Sequence, residues 1–273
     1  IAQSLPLLTI VLTVLSLPTT APAKVTAAQG VTAARQLLEL ESVEAQFCGT
    51  ALAVAAAEAM QSADPLMSGL LASALQRPAL EHEIVSPSGH FRIHYDTVGS
   101  DAVADVDENN NGIPDYVDLA IAIADSSWEL QVVQLGFREP PSDGGAGGGN
   151  EVDIYLRDLS RLQNYGITYP MSNGNTGPAY LVVDNNFTDA IFGNTFICPG
   201  YSGAREEDAL RVTLAHEFFH VIQFGYYQGH DGSWWQEASA TWMEDVAFPD
   251  INDYLQYSCS FLLVPGRALD SGI

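Results

Sequence analysis

Basic residues are scarce in this chain. Lysine and arginine together number ten among 273 residues, Lys24 is the only lysine, and 34 acidic residues bring the formal net charge to −24. A chain with so few cations lacks the positive surface that attracts the phosphates of nucleic acids or anionic membranes. The composition therefore argues against nucleic acid as a partner and suits a protein that is kept soluble outside the cell.

Cysteine is also rare, with three residues at positions 48, 198 and 259. Their spacing does not resemble that of a cysteine-based zinc site. In an oxidising extracellular setting, Cys198 and Cys259 are the preferred disulfide pair, which leaves Cys48 as the odd cysteine. Cys48 is then a structural or unpaired thiol, or a thiolate that holds a metal ion in a latent form of the protein.

Long apolar runs are missing as well. The run from Leu5 to Leu17 is too short to span a membrane comfortably, and an Ala-Pro-Ala cleavage site follows it. We therefore predict a secretory signal peptide over residues 1–23, an extracellular protein, and no stable membrane anchor after cleavage. Because the chain starts at Ile1 without a basic segment and ends at Ile273 without a domain boundary, we expect truncation at both ends.

The most informative motif is the pentapeptide His216-Glu217-Phe218-Phe219-His220. Positions i and i+4 of a helix share one face, so the two imidazoles can bind one Zn²⁺ while Glu217 serves as general base. A chance match on an ordinary helix is the alternative. Apolar residues continue a helical period across the motif, which favours a helix that packs on a core and supports the zinc interpretation.

A catalytic zinc ion needs a third protein ligand. The metzincin spacing requires glycine and histidine three and six residues after the motif, but Gln223 and Tyr226 stand there, which excludes that class. Glu237 lies in the first turn of a following predicted helix and is the preferred third ligand. His230 and Asp231, in the glycine-rich link between the two helices, are the competing candidates.

Residues 215–224 and 235–244 resemble the gluzincin branch of the zinc metallopeptidases. More closely, the chain is similar to a family of secreted bacterial proteins predicted to be metalloproteases, over roughly residues 85 to 260 and including the blocks 89–95 and 111–118. The resemblance implies that His216, His220 and Glu237 bind zinc and that Glu217 is the general base.

One position departs from the gluzincin pattern. Four residues after its ligand glutamate, thermolysin has an aspartate that supports a zinc histidine, and this chain has Thr241. Glu244 or Asp245, about one turn further along the helix, is expected to take over that supporting role.

A second metal site is predicted in residues 107–118. Oxygen ligands at alternate positions, with glycine at the sixth, match the spacing of an EF-hand-type calcium loop. The expected ligands are Asp107, Asn109, Asn111, Ile113 through its carbonyl, Asp115 and Asp118. A polar turn rich in Asn and Asp is the alternative. A single loop has no partner hand to move, so Ca²⁺ is expected to stabilise the fold rather than to signal.

The predicted architecture is α+β. Residues 24–85 form a helical pro-segment or a mere N-terminal extension, and residues 86–273 form a zincin-like domain whose mixed sheet packs on the motif helix. Strands are predicted over 90–96, 152–157 and 179–184, and helices over 113–135, 206–224 and 233–246. By the zincin pattern, residues 179–183 are expected at the edge of the sheet beside the cleft, where an extended peptide adds as a strand.

These features together predict a secreted, calcium-stabilised zinc endopeptidase that acts on protein or peptide substrates with Zn²⁺ and Ca²⁺ as cofactors. Two alternatives remain open. One is a secreted calcium-binding adhesion module with a vestigial zinc site, and the other is a zinc hydrolase of a non-peptide amide or ester. The sequence does not define an oligomeric state.

Overall fold

A computed structural model describes residues 24–41, 48–172, 174–187 and 206–256, together with 258, 263 and 266. The predicted signal peptide and the predicted disulfide partners Cys198 and Cys259 lie outside the described residues. Within this part of the chain there are six α-helices: α1 (Ala27–Leu37), α2 (Thr50–Ala59), α3 (Pro65–Ala74), α4 (Asp115–Trp128), α5 (Glu206–Phe224) and α6 (Ser233–Ala247). The strands are β1 (His82–Val85), β2 (Phe91–Tyr95), β3 (Val152–Arg157), β4 (Gly166–Pro170) and β5 (Ala179–Asp184). The α+β class is confirmed.

The five described strands form one mixed sheet in the order β1-β2-β3-β5-β4. The central pairs β2/β3 and β3/β5 are parallel, whereas β1 and β4 run antiparallel to their neighbours. The expectation that residues 179–183 form the edge was wrong, because β5 lies between β3 and β4. The edge strand at this end is β4, which follows β3 in sequence but has β5 as its neighbour among the described strands, whereas β1 forms the other edge.

The two faces of the sheet are covered by different helices. Side chains alternate between faces along a strand, so Ile154 and Leu181 point to one side while Tyr155 and Val182 point to the other. The first face packs with α4 and α5 in the larger hydrophobic core. The second face packs with α1, α2 and α3 in a separate core. The N-terminal helices therefore cover a sheet face that would otherwise be apolar and exposed.

Local sequence signals explain the boundaries of the N-terminal helices. Thr26 and Gln29 form a capping box at the start of α1, and Asp64 caps α3 ahead of a proline at the first helical position. Residues 24–85 were predicted to form a helical segment. Its last helix ends at Ala74, and His82–Val85 is instead a strand that pairs with β2 and belongs to the sheet.

Arg77 ties the end of the helical segment to the sheet. Its guanidinium nitrogens lie 2.5 Å from Oδ2 of Asp153 and 2.6 Å from Oδ2 of Asp143. The same group stacks over the ring of Tyr180, with 4.8 Å between the guanidinium carbon and the ring centroid. A planar, permanently charged guanidinium suits such a site, where ion pairs and an aromatic face meet.

The helix predicted over residues 113–135 divides in two. Its first part is α4, and its second part, Glu129–Gln134, is a π-helical segment. Gln131 of that segment is fully buried and its Nε2 donates a hydrogen bond to the carbonyl of Ala215, on the motif helix α5. No helix in the described residues is long and apolar enough to cross a membrane.

Candidate metal centre

The two histidines of the pentapeptide meet on one face of α5. Their Nε2 atoms lie 3.0 Å apart, and both residues are buried, with 7% and 0% of their surface exposed. Helical geometry places residues four apart on the same side, so the spacing predicted from the sequence is realised. The two Nε2 atoms can therefore bind one metal ion from the same side of the helix.

Glu237 approaches the histidines from α6. Its Oε2 lies 3.3 Å from Nε2 of His216, and its Oε1 lies 3.5 Å from Nε2 of His220. The competing candidates have other partners, because Asp231 accepts a hydrogen bond from the hydroxyl of Tyr227 and the backbone N–H of His230 donates to Glu58. Among the described residues, the cluster of possible metal ligands contains Glu237 and neither His230 nor Asp231.

Cys48 is the fourth member of this cluster. Its Sγ lies 3.5 Å from Nε2 of His220, although the two residues are 172 positions apart in the sequence. The ligand atoms of Cys48, His216, His220 and Glu237 all lie within 4.8 Å of one another. The sequence left three roles open for Cys48. The structure places its sulfur where a metal ligand would lie, which favours the metal-binding role.

Each histidine is held by a second side chain at its other ring nitrogen. Nδ1 of His216 lies 2.6 Å from Oε1 of Glu244, and Nδ1 of His220 lies 2.8 Å from Oε1 of Gln223. Such contacts make Nδ1 the protonated nitrogen and leave the Nε2 lone pair for a metal. Of the two residues predicted for this role, Glu244 makes the contact and Asp245 does not. Gln223 was considered only for the metzincin spacing, so its supporting role was missed.

Gln223 is itself fixed by α6. Its Nε2 donates hydrogen bonds to the carbonyl of Gln236, 3.1 Å away, and to Oγ of Ser239, 2.9 Å away. A glutamine three residues after a histidine on a helix lies within reach of its ring. That spacing is the sequence signal that would have identified it.

Burial and neighbouring charge act in opposite directions on the ionisable groups of the cluster. Burial alone lowers the pKa of His220, but the carboxylate of Glu237 and the sulfur of Cys48 raise it to about 10. Burial raises the pKa of Glu237, but the imidazolium groups of His220 and His216 lower it well below its usual range. Burial raises the pKa of Glu244 to about 7, partly offset by its hydrogen bond to His216. The groups thus form a dense, mutually compensating set of charges.

Glu217, the predicted general base, is 1% exposed and lies beside the edge strand. Its Oε2 accepts hydrogen bonds from the hydroxyl of Thr168 on β4, at 2.7 Å, and from the hydroxyl of Thr50, at 3.1 Å. Gly166 allows this approach, because a Cβ atom there would lie 2.5 Å from Cγ of Glu217. These β4 residues were missed from the sequence, since a short buried edge strand carries no alternating pattern.

The predicted calcium loop folds so that its third and fifth positions converge on its last. Nδ2 of Asn109 and Nδ2 of Asn111 lie 2.9 Å and 2.8 Å from Oδ2 of Asp118. Asp107 accepts hydrogen bonds from the backbone N–H groups of Asn111 and Gly112, and Gly112 has a φ of +85°, as the sharp turn at the sixth position requires.

The two remaining predicted calcium ligands lie around the start of α4. Asp115 accepts the backbone N–H of Glu108 and is the first residue of α4. Ile113, whose carbonyl is the expected ligand, has its own N–H bonded to Oδ1 of Asn111. The loop therefore leads directly into α4, which packs against β2 and the motif helix α5.

Comparison of the chain with models of protein families, with curated proteins and with solved structures finds no match.

The donor types in the cluster fit a metal ion of intermediate softness. Two imidazole nitrogens, a carboxylate and a thiol are the groups that bind Zn²⁺ and similar transition metals, whereas Mg²⁺ and Ca²⁺ prefer oxygen ligands only. With a carboxylate base next to such an ion, the arrangement can activate water for attack on a carbonyl carbon.

Proposed function

We propose that this protein is a secreted zinc-dependent endopeptidase of the gluzincin type. The observation that carries the proposal is the convergence of His216 and His220 with Glu237 from a second helix. A buried glutamate, Glu217, stands between the two histidines in sequence, and its negative charge acts on Cys48, another member of the cluster. A structural metal site has no use for a general base, so Glu217 favours hydrolysis.

His216, His220 and Glu237 would hold the zinc ion, and Glu244 and Gln223 would keep the two imidazoles in the required orientation. When bound, zinc would polarise the substrate carbonyl and lower the pKa of a coordinated water towards about 7. These roles of residues on α5 and α6 also support the proposal that the two helices and the mixed sheet form a zincin-like catalytic core.

Glu217 would accept a proton from the attacking water at Oε2 and return it to the amine that leaves. The hydroxyl of Thr168 would orient that oxygen, because it already donates a 2.7 Å hydrogen bond to it. Hydrolysis would then proceed without a covalent intermediate.

The edge strand β4 supports a peptide substrate. It ends the sheet next to Glu217, and an extended peptide can add to such an edge through backbone hydrogen bonds. A non-peptide amide or ester would have little use for a strand edge. This feature therefore favours a peptidase over the alternative hydrolase.

We also propose that the 107–118 loop binds a structural Ca²⁺. Asp107, Asn109, Asn111 and Asp118 converge there, and the carbonyl of Ile113 and the carboxylate of Asp115 complete the set. Because the loop leads into α4 beneath the motif helix, bound Ca²⁺ would stabilise the catalytic core. The alternative is a secreted adhesion module with a vestigial zinc site.

The test compares wild type with Glu217→Gln. Each protein is assayed intact and again after a serine protease, which is then inhibited, has cut the N-terminal segment. The cut is included because a pro-segment over residues 24–85 would block the site. Zinc content and hydrolysis of casein and a peptide library are measured. We expect stoichiometric zinc in both proteins and peptide hydrolysis in wild type alone. Glu207→Gln, an exposed change in the first turn of the same helix, is the control that retains activity.

The other outcomes separate the alternatives. Zinc binding without any peptide hydrolysis by nicked wild type would favour the binding module or the non-peptide hydrolase. Absence of zinc from wild type, in buffer that contains it, would contradict the metal centre altogether.

A further inference from the structure

Residues 48–50 lie along β4, the edge strand that a substrate would use. Cys48 forms a parallel bridge with Gly166, and the N–H of Gly49 donates a 3.0 Å hydrogen bond to the carbonyl of Gly166. The hydroxyl of Thr50 accepts the N–H of Thr168 at 2.8 Å. Both of these β4 backbone groups beside Glu217 are therefore occupied by the chain's own N-terminal segment.

The fit at this point is close. A Cβ atom on Gly49 would lie 2.8 Å from Nδ2 of Asn164 and 2.8 Å from Cγ1 of Ile167, so no other residue fits there without a shift. The glycine allows the backbone to approach β4 and brings the neighbouring sulfur into the cluster.

The same segment also engages the proposed base. The hydroxyl of Thr50 donates a hydrogen bond to Oε2 of Glu217, the oxygen that also accepts one from Thr168. Thr50 is the first residue of α2, and near the other end of this helix Glu58 accepts the N–H of His230 at 3.4 Å. The segment thus spans from the edge strand to the link between α5 and α6.

A fourth protein ligand changes what a zinc site can do. Catalytic zinc keeps one position open for water or substrate, whereas four protein ligands close the site. His216, His220 and Glu237 supply three ligands, and Sγ of Cys48 lies in the same cluster. A thiol loses its proton on binding zinc, and it takes a proton up again when it leaves.

We propose that Cys48 is the fourth ligand of the zinc ion and that residues 48–50 hold the enzyme in a latent state. This inference rests on the proposed function, since it assigns a regulator to the same metal centre. Gly49 and Thr50 occupy the substrate edge, Thr50 engages Glu217, and the sulfur closes the open position. Displacement of this short stretch would open the site while α3 and Arg77 keep the rest of the segment on the sheet.

The first test is X-ray absorption spectroscopy at the zinc edge of the purified, zinc-loaded protein. Wild type should show one sulfur at about 2.3 Å from zinc, together with nitrogen and oxygen ligands. Cys48→Ala should retain zinc with nitrogen and oxygen ligands only. Leu66→Ala, an exposed change on α3 of the same segment, should keep the sulfur signal and serves as the control.

The second test measures peptide hydrolysis by the same proteins without any prior proteolysis. Activity scales with the fraction of molecules whose site is open, so Cys48→Ala should exceed wild type by about tenfold or more. Leu66→Ala should remain at the wild-type rate. If Cys48→Ala fails to fold, Cys48→Ser has a side chain of similar size and carries the same expectations.

Three results would overturn the latent state. They are a wild-type zinc ion without a sulfur ligand, equal rates for Cys48→Ala and wild type, and loss of zinc from Cys48→Ala, which would make the thiolate part of a permanent structural site. A wild-type protein that binds no zinc at all would instead overturn the proposed function. The two failures are therefore distinguishable.

Discussion

Nδ1 of His216 lies 2.6 Å from Oε1 of Glu244, across the contact between α5 and α6. Both residues are buried, so water does not compete for this hydrogen bond. The contact links the two helices that supply the three proposed metal ligands, and it fixes the ring orientation of one of them.

Replacement of Glu244 by glutamine should weaken zinc binding. The amide cannot hold the imidazole as a carboxylate does, and loss of such a supporting group costs about 10- to 100-fold in metal affinity. Competition with a chelating dye measures the change. Asp245→Asn, at the next position of α6, should leave the affinity unchanged, and equal affinities for the two variants would refute the role of Glu244.

Replacement of Glu237 by alanine in the Cys48→Ala protein should remove stoichiometric zinc, since only two histidines of the cluster would remain. His230→Ala and Asp231→Asn should both retain the metal, because their side chains lie outside the cluster. Metal analysis after dialysis distinguishes the three variants. Full zinc content in the Cys48→Ala, Glu237→Ala double variant would rule out Glu237 as a ligand.

Calcium should stabilise the fold through the 107–118 loop. Ca²⁺ at about 100 times its dissociation constant should raise the free energy of unfolding by about 2.7 kcal/mol, as a ligand specific to the folded state does. Asp107→Asn should lose most of this gain, whereas Glu108→Gln, an exposed change at a position that supplies no ligand, should keep it. Thermal unfolding in EDTA, followed by addition of zinc alone or of both ions, provides the measurement. Full recovery of stability with zinc alone would contradict the calcium site.

Asp153 should make stability depend on acid pH. Burial raises its pKa, but the hydrogen bond from His94 and the charge of Arg77 outweigh burial and lower the pKa below 3.8. A lowered folded-state pKa means that the stabilisation is fully present above the unfolded value of about 3.9 and disappears as the pH falls through the folded value.

Asp153→Asn removes this titration and weakens the anchor of Arg77. We expect a loss of about 3 kcal/mol at pH 7, because one partner of a buried ion pair is neutralised. The loss should stay constant down to about pH 4 and shrink as the pH falls further, through the folded-state pKa. Urea unfolding at several pH values provides the measurement, and parallel stability curves for the two proteins would argue against the ion pair.

Strong local patterns predicted several elements well. Residues 206–224 and 152–157 have the predicted bounds, and α6 ends one residue beyond its prediction. These segments carry either a helical period or a compact apolar run between turn residues, so their structure is encoded locally. The strands β1 and β4 were missed. The latter, Gly166–Pro170, is short, begins with glycine, ends with proline, and is buried at all five positions, so neither alternation nor composition marks it.

The sequence by itself determined the helix that carries His216, Glu217 and His220, because spacing along one helix fixes which side chains share a face. It also indicated Glu237, from its place in the first turn of the next predicted helix and from the resemblance to gluzincins, and it left Glu244 and Asp245 as alternatives for the supporting role. Only the tertiary structure decided that β4 is the edge strand and that Cys48 lies beside His220. Sheet order and the packing of α2 against β4 depend on contacts between residues far apart in the chain, and no local pattern records such contacts.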